Sequence, residues 1–447
     1  MNQDFIWGVA SSAYQIEGAT AEGGRGEGIW DVGCRAGRIF QGQTAEIACD
    51  HYHRYREDVA LMKELGIRNY RFSVSWPRIL PQGEGDVNEE GIAFYRDLVK
   101  ELKKAGITPW VTLFHWDLPA ALQRKGGFLN DRISDLFADF AETVALAFGD
   151  DVKNYIVMNE PQCFVEDGHF TGLHAPFLQL DRKEVFKVAH NVLLSVGKAE
   201  KRLRRVCGEG VRIGFAPCFT PALPEREEDV ELAREYTFSP TGDFYDGCFF
   251  SDALVFGRFP ENYRAWMRKY GYDPSQEDMA LVKSRFDFFG LNVYRGFYVH
   301  GENGKAVRSA PNPNDPLTDV GWNITPEAMY YAAKFYYERY GLPLIFTENG
   351  VAITEWRREG GDIPDDLRID FMKRHIGSMK RAAERFPVIG YFYWCFTDNF
   401  EWLQGYSKRF GLVYVDYGTQ ERIPKKSAYW YKKVIGSNGE DLSAESG

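Results

Sequence analysis

No apolar run in this 447-residue chain approaches the roughly 20 residues that a membrane-spanning helix needs, so a membrane partner is not expected. No basic stripe offsets a net charge of −10, which argues against nucleic acid as a partner. No glycine-rich phosphate loop follows the first strand-like segment, which disfavours a doubly wound nucleotide-binding sheet and any nucleotide cofactor. Cysteine is sparse. Cys34, Cys49, Cys163, Cys207, Cys218, Cys248 and Cys395 include no C-x-x-C pair, and they read as reduced, mostly buried thiols with no structural zinc. The opening Met1-Asn-Gln-Asp-Phe-Ile-Trp-Gly8 lacks the basic and apolar regions of a secretory leader. The compartment expected from these features is the cytoplasm.

What the chain does have is aromatic surface. Phe, Trp and Tyr make up 15% of it, with 11 Trp and 25 Tyr. Flat apolar rings fill cores, and they also suit the C–H faces of sugars. Hydrophobic residues at 44% and charged residues at 26% are in the globular range.

A strand-then-helix rhythm runs through the sequence. Residues 4–18 read as a first strand that delivers Gln15 and Glu17 to its far end. A glycine-rich loop over 19–48 precedes a helix in which Tyr52, Tyr55, Val59 and Met62 recur at helical spacing and Gly66 supplies the stop. Asn69 to Trp76 alternates like a strand and carries Arg71. Asn88 can cap the next helix, with Ile92, Tyr95, Val99 and Leu102 as its apolar stripe. Thr108 to Asp117 reads as the third strand, ending at His115. Helices near 131–147 and 183–206 flank a strand at 154–160, and another strand covers Val211–Pro217. Phe286–Tyr294 is the sixth strand, and 296–322 reads as a loop insertion rimming a pocket. Helices near 325–340 and 366–386 surround the strand at 342–348. Val388–Phe396 is the eighth, followed by a β-rich tail and a helix near 427–435. Eight such units without a linker-like break predict one (β/α)8 barrel domain over 1–447, with long βα loops forming its pocket.

Two strands end in carboxylates. Leu342-Pro-Leu-Ile-Phe-Thr-Glu-Asn-Gly350 drives Glu348 to a turn, and Asn154-Tyr-Ile-Val-Met-Asn-Glu-Pro161 drives Glu160 to a proline. Barrels keep catalytic groups at the carboxyl ends of their strands, and a carboxylate pair on one face suits glycoside hydrolysis. A lone Glu at such a place is more often a loop anchor; finding two changes the balance. His51-Tyr-His53 has the look of a metal pair, but positions i and i+2 of a helix diverge, so packing or capping is expected instead.

Three stretches then resemble the signatures of the family 1 glycoside hydrolases, the β-glucosidase family: Asn159-Glu160-Pro161, Thr347-Glu348-Asn349-Gly350 and Asp398-Asn-Phe-Glu-Trp402. Phe5 to Gly18, Tyr70 to Ile79 and Phe114 to Pro119 resemble further family segments, so the similarity runs from about residue 4 to 435. The resemblance implies a retaining exo-β-glycosidase that acts on β-glucosides and extends to β-galactosides and β-fucosides, with no cofactor or metal. It implies Glu348 as nucleophile, Glu160 as general acid/base, Arg71 and Tyr294 as partners of the nucleophile, and Asn159 as a ligand of the sugar 2-hydroxyl. Gln15, His115, Glu401 and Trp402 match glycone ligands and Trp394 a stacking platform. Asn292 belongs to the same rim, and Trp322 floors the leaving-group side.

Met158, Phe177 and Cys395-Phe-Thr397 depart from the usual family residues and bear on aglycone preference rather than activity. A 6-phospho-β-glucosidase is the alternative within the family, disfavoured because Glu401 stands where that subfamily carries Ser. A non-catalytic glycan-binding barrel is the alternative outside it, disfavoured because both glutamates are present. A barrel metalloenzyme is weakened by the lack of a His/Asp cluster at strand ends.

Overall fold

The computed structural model describes residues 1 and 3–443; positions 2 and 444–447 of the expected domain lie outside the described residues. Eight parallel strands close into a barrel: β1 (Ile6–Ala10), β2 (Asn69–Ser73), β3 (Thr108–Phe114), β4 (Asn154–Asn159), β5 (Arg212–Ala216), β6 (Phe288–Asn292), β7 (Leu344–Asn349) and β8 (Val388–Trp394). Each strand pairs with its sequence neighbours, and β8 closes on β1 through Ile6 opposite Gly390 and Ala10 opposite Trp394. Helices His51–Glu64, Glu89–Ala105, Ile133–Phe148, Arg182–Cys207, Glu327–Tyr340 and Asp366–Ala383 lie between successive strands, and four shorter helices fill the β5–β6 connection. The (β/α)8 expectation holds.

Side-chain alternation explains the two-layered core. Ile6, Trp110, Ile156, Phe288, Ile345 and Phe392 point inward and fill the barrel, with Trp110 edge-on to Phe288 at 5.5 Å and to Phe392 at 5.4 Å. Their neighbours Val111, Leu113, Tyr155, Val157, Leu344 and Phe346 face outward into the larger core beneath the helices. The helix Glu89–Ala105 shows the logic locally: Ile92, Tyr95, Val99 and Leu102 are buried, Glu89 and Glu90 sit at its positive end, and Gly106 closes it at φ 77°. No described helix is long and apolar enough to cross a membrane.

Several expectations are corrected. The first strand stops at Ala10, and Gln15 stands on a single helical turn, Ala13–Ile16, because Ala13 N–H is captured by the Ser73 hydroxyl. Asn88 occupies the cap position but does not cap; its amide donates to the carbonyls of Gly23 and Arg78 and ties two loops together. The insertion 296–322 is not all loop: Phe297–Glu302 and Lys305–Arg308 form an antiparallel hairpin about Asn303-Gly304. The eighth strand ends at Trp394, two residues short. His51 pairs with Asp58 at 2.7 Å, and His53 reaches Asp50 and Glu22 at the surface, so both are structural.

Candidate active site

The carboxyl ends of the strands carry the site, and two register slips aim it. Pairing of β7 with β6 shifts between Phe346 and Glu348, and pairing of β4 with β5 shifts between Ile156 and Asn159. Irregularities of this kind re-aim side chains. Glu160 follows β4 with a left-handed backbone, φ 42°, and its amide donates to the Ala216 carbonyl at 2.8 Å. Pro161 then opens a short helix, which fixes the turn.

Glu348 is held from two sides. Arg71 Nη1 donates to Oε1 at 2.7 Å and the Tyr294 hydroxyl donates to Oε2 at 2.7 Å. Arg71 is itself locked, donating to Thr112 Oγ1, to the Thr347 carbonyl and to Asn159 Oδ1. Glu160 has weaker company. Asn292 Nδ2 donates to its Oε1 at 2.9 Å and the Cys163 thiol to its Oε2 at 3.3 Å. The same Asn292 amide reaches Asn159 Oδ1, and Thr347 Oγ1 donates to Asn292 Oδ1. One hydrogen-bonded chain therefore joins the ends of β2, β4, β6 and β7.

The environments of the two glutamates differ in charge. Burial and the neighbouring Glu348 push Glu160 up to about 8. Burial also raises Glu348, and Arg71 and Tyr294 oppose that rise. Arg71 by itself lowers Glu348, and burial outweighs it. The order is what matters: Glu348 loses its proton first and Glu160 keeps it, which is the separation an acid and a nucleophile need.

The floor of the site is aromatic and acidic. Glu401 is pushed up to about 8 by burial and by Glu348. Gln15 Nε2 donates to it at 3.2 Å and also to the Phe400 carbonyl and Asn399, while Gln15 Oε1 accepts from Ser12. Gln15 thus stands behind Glu401 and positions it. His115 Nε2 accepts from Asn159 Nδ2 at 3.1 Å because Asn159 Oδ1 is taken by Arg71 and Asn292. That fixes the proton on Nδ1, which has no protein partner. Burial and Arg71 hold His115 neutral. Its ring is near parallel to Trp394 at 5.7 Å and to Trp402 at 5.9 Å. Trp402 is braced by Trp30 and Trp116 at 4.6 and 4.8 Å.

A cavity of about 400 Å³ opens onto these groups, and Glu160, Glu348, His115, Asn292, Tyr294, Trp322, Trp394, Glu401 and Trp402 line it. Arg71, Asn159 and Gln15 are buried beside these groups and are not among the lining residues. Trp322 is half-buried on the outer side, 5.2 Å from the Tyr294 ring. The sequence reading missed Cys163, Cys218, Asp167, Tyr245 and Arg295, which also line the cavity. Glu160, Cys163 and Cys218 place donor atoms within 4.8 Å of one another, a potential cation-binding set where none was expected. Only Cys163, one helical turn past Glu160, carried a sequence signal.

The glycosyl hydrolase family 1 profile matches residues 1–440. The chain is 41% identical over 442 residues to β-glucosidase A of Thermotoga maritima, covering 98% of each protein. A structure of the β-glucosidase from Thermotoga maritima in complex with deoxynojirimycin superimposes with a TM-score of 0.91 at 40% identity, over 99% of both chains. An aryl-phospho-β-D-glucosidase of Bacillus subtilis is 37% identical over 98% of both chains. The chain belongs to glycosyl hydrolase family 1.

Proposed function

We propose that this protein is a retaining exo-β-glycosidase, a β-glucosidase that removes terminal β-D-glucosyl residues by double displacement. The observation that carries the reading is the asymmetry at the two carboxylates: Arg71 and Tyr294 converge on Glu348, while Glu160 keeps its proton. Glu348 attacks the anomeric carbon as Glu160 passes its proton to the glycosidic oxygen, and the alcohol leaves. Ester formation consumes the Glu348 charge. Glu160 then ionises more readily and takes a proton from the incoming water. Asn159, fixed by Arg71, lies beside the 2-hydroxyl, where a hydrogen bond tightens toward the transition state.

Glu401 accepts from the 4- and 6-hydroxyls, positioned by Gln15, and the unpartnered His115 Nδ1–H meets a neighbouring hydroxyl. Trp394 and Trp402 supply the apolar faces, and Trp322 with Asn292 flanks the leaving group. β-Galactosides and β-fucosides are accepted as well, because a carboxylate binds either epimer at C4. Seven free thiols favour a reducing compartment, the cytoplasm.

The 6-phospho-β-glucosidase reading is disfavoured by Glu401. A phosphate on O6 would bury its charge beside Glu401, a group with no cation among its neighbours, and would add to the negative charge of Glu348, costing several kcal/mol. The expected kcat/KM for nitrophenyl β-glucoside exceeds that for its 6-phosphate by at least about a thousandfold. Glu401→Ser narrows that gap while slowing the unphosphorylated reaction. Comparable values for the two substrates would refute the placement of Glu401. Proton NMR of the first-formed sugar tests stereochemistry; an α-configured product would refute double displacement.

A further inference from the structure

We propose that Glu160, Cys163 and Cys218 form a binding site for a thiophilic divalent cation of the Zn2+ and Cd2+ class, and that its occupancy shuts the enzyme off. The second half rests on Glu160 being the acid/base; the first does not. All three donor atoms lie within 4.8 Å of one another. Cys163 Sγ is already 3.3 Å from Glu160 Oε2. A tetrahedral zinc site with bonds of about 2.0–2.3 Å sets its donors about 3.5–3.8 Å apart. Side-chain shifts of about 1 Å therefore complete three corners, and water from the cavity that all three residues line takes the fourth.

The backbone holds these donors in place. Cys163 is one turn beyond Glu160 on the helix Pro161–Val165, and Cys218 follows β5. Gln162 clamps the two segments: its Nε2 donates to the Cys218 carbonyl at 3.1 Å and its Oε1 accepts from the Cys218 amide at 3.3 Å. Cys218 also bridges to Asn292, which donates to Glu160. Among the described residues, no other trio of His, Cys, Asp or Glu donors converges in this way.

Binding is proton exchange without redox change. The cation takes two thiolates and one carboxylate, and the displaced protons pass to solvent. The contact with Cys218 and burial raise Cys163, and burial raises Cys218 against the opposing contact with Cys163, so the cation displaces protons when it fills the site. The proton displaced from Glu160 is the one the leaving group needs. Two thiolates favour zinc and cadmium over magnesium or calcium.

The experiment titrates Cd2+ into the full-length enzyme kept reduced by a phosphine. Ultraviolet thiolate-to-cadmium absorption reports binding, and β-glucoside hydrolysis reports inhibition. The expected result is absorption saturating at one cation per chain with parallel inhibition that EDTA reverses. Cys163→Ala/Cys218→Ala loses the absorption and raises the inhibitory concentration at least about a hundredfold. Cys207→Ser, remote from the site, leaves both unchanged. If the double variant does not fold, the single Cys218→Ala change carries the test. Unchanged inhibition in the cysteine variants, or no saturable absorption in the wild type, overturns the site. Saturation without inhibition overturns the switch and, separately, the role given to Glu160.

Discussion

Two buried charge clusters meet on one segment, Asp398–Trp402, and they are built to opposite ends. In the first, Arg368 holds Asp365 at 2.8 Å and Glu355 at 3.0 Å. Lys425 holds Asp398 at 2.8 Å and also meets Glu355, and Arg409 holds Asp398 at 2.7 Å. Three basic side chains meet three carboxylates, and burial pulls Lys425 well below the ordinary lysine range while the contacts with Asp398 and Glu355 favour its charged form. In the second, Arg71 pairs with Glu348 and acts more weakly on Glu160, while Glu401 has no cation among its neighbours. The effect shows in carboxylates three residues apart on the same segment. Asp398, among cations, rises only to about 6, whereas Glu401, among carboxylates, is pushed up to about 8. The balanced cluster pins the segment. The unbalanced one uses the pinned geometry to keep protons where chemistry needs them.

The largest effect should come from the unbalanced cluster. Glu348→Gly removes the proposed nucleophile, and kcat is expected to fall by on the order of 10⁴-fold or more. Added azide should restore turnover with an α-configured product. Glu160→Ala should spare dinitrophenyl glycosides, whose leaving group needs no proton, and should give a β-configured azide product. Identical behaviour of the two variants on activated substrates would erase the asymmetry. With wild-type enzyme, kcat/KM should fall above about pH 8 as free Glu160 deprotonates, and a profile flat through pH 9 would deny Glu160 its role.

The balanced cluster should answer in stability. Lys425→Met leaves Asp398 and Glu355 short of a cation in the interior, and breaking a buried pair from one side costs about 3–5 kcal/mol. Urea unfolding should show that loss, while kcat measured on the folded fraction at low temperature stays within about tenfold of wild type. A stable but inactive variant would show that the two clusters are not separable.

How far the sequence revealed each cluster follows from chain distance. Glu160 and Glu348 were legible because each stands at the end of an apolar strand beside turn chemistry, and the barrel followed from eight such units. Asp398 was legible only as part of a family signature. Its partners Arg409 and Lys425 arrive from the tail, and Arg368 and Glu355 from the β7–β8 connection, so no local pattern joins them. Cys218 escaped for the same reason. The hairpin at 297–308 escaped for another: its strands are only partly buried, so hydrophobic alternation is weak, and Asn303-Gly304 was its one clear signal. Asn88 does not cap because its amide donates to the Gly23 and Arg78 carbonyls and so orients the side chain away from the helix, and the sequence shows the capping residue type but not those carbonyls.

The last expected effect is the most discriminating, because it has one sign in both clusters and a different size in each. Glu401 has a native pKa of about 8 against an ordinary value of 4.5, so the folded state holds its proton more tightly than the unfolded chain. For a group shifted upward, native stability is unaffected below about pH 4.5, where the carboxyl is neutral in both states. It declines as pH rises toward about 8, because the unfolded chain ionises freely and the native site does not. Glutamine keeps the shape, can still accept from Gln15 Nε2, and never ionises. Glu401→Gln should therefore match wild-type stability near pH 4.5 and exceed it by a margin that grows toward pH 8, while losing activity. Asp398→Asn should gain in the same direction but by less, because Asp398 rises only from an ordinary 3.8 to about 6. Thermal unfolding of both variants from pH 5 to 8 decides it. A Glu401→Gln protein no more stable than wild type at pH 8 would mean that the site's acidic excess is not stored as strain in the fold.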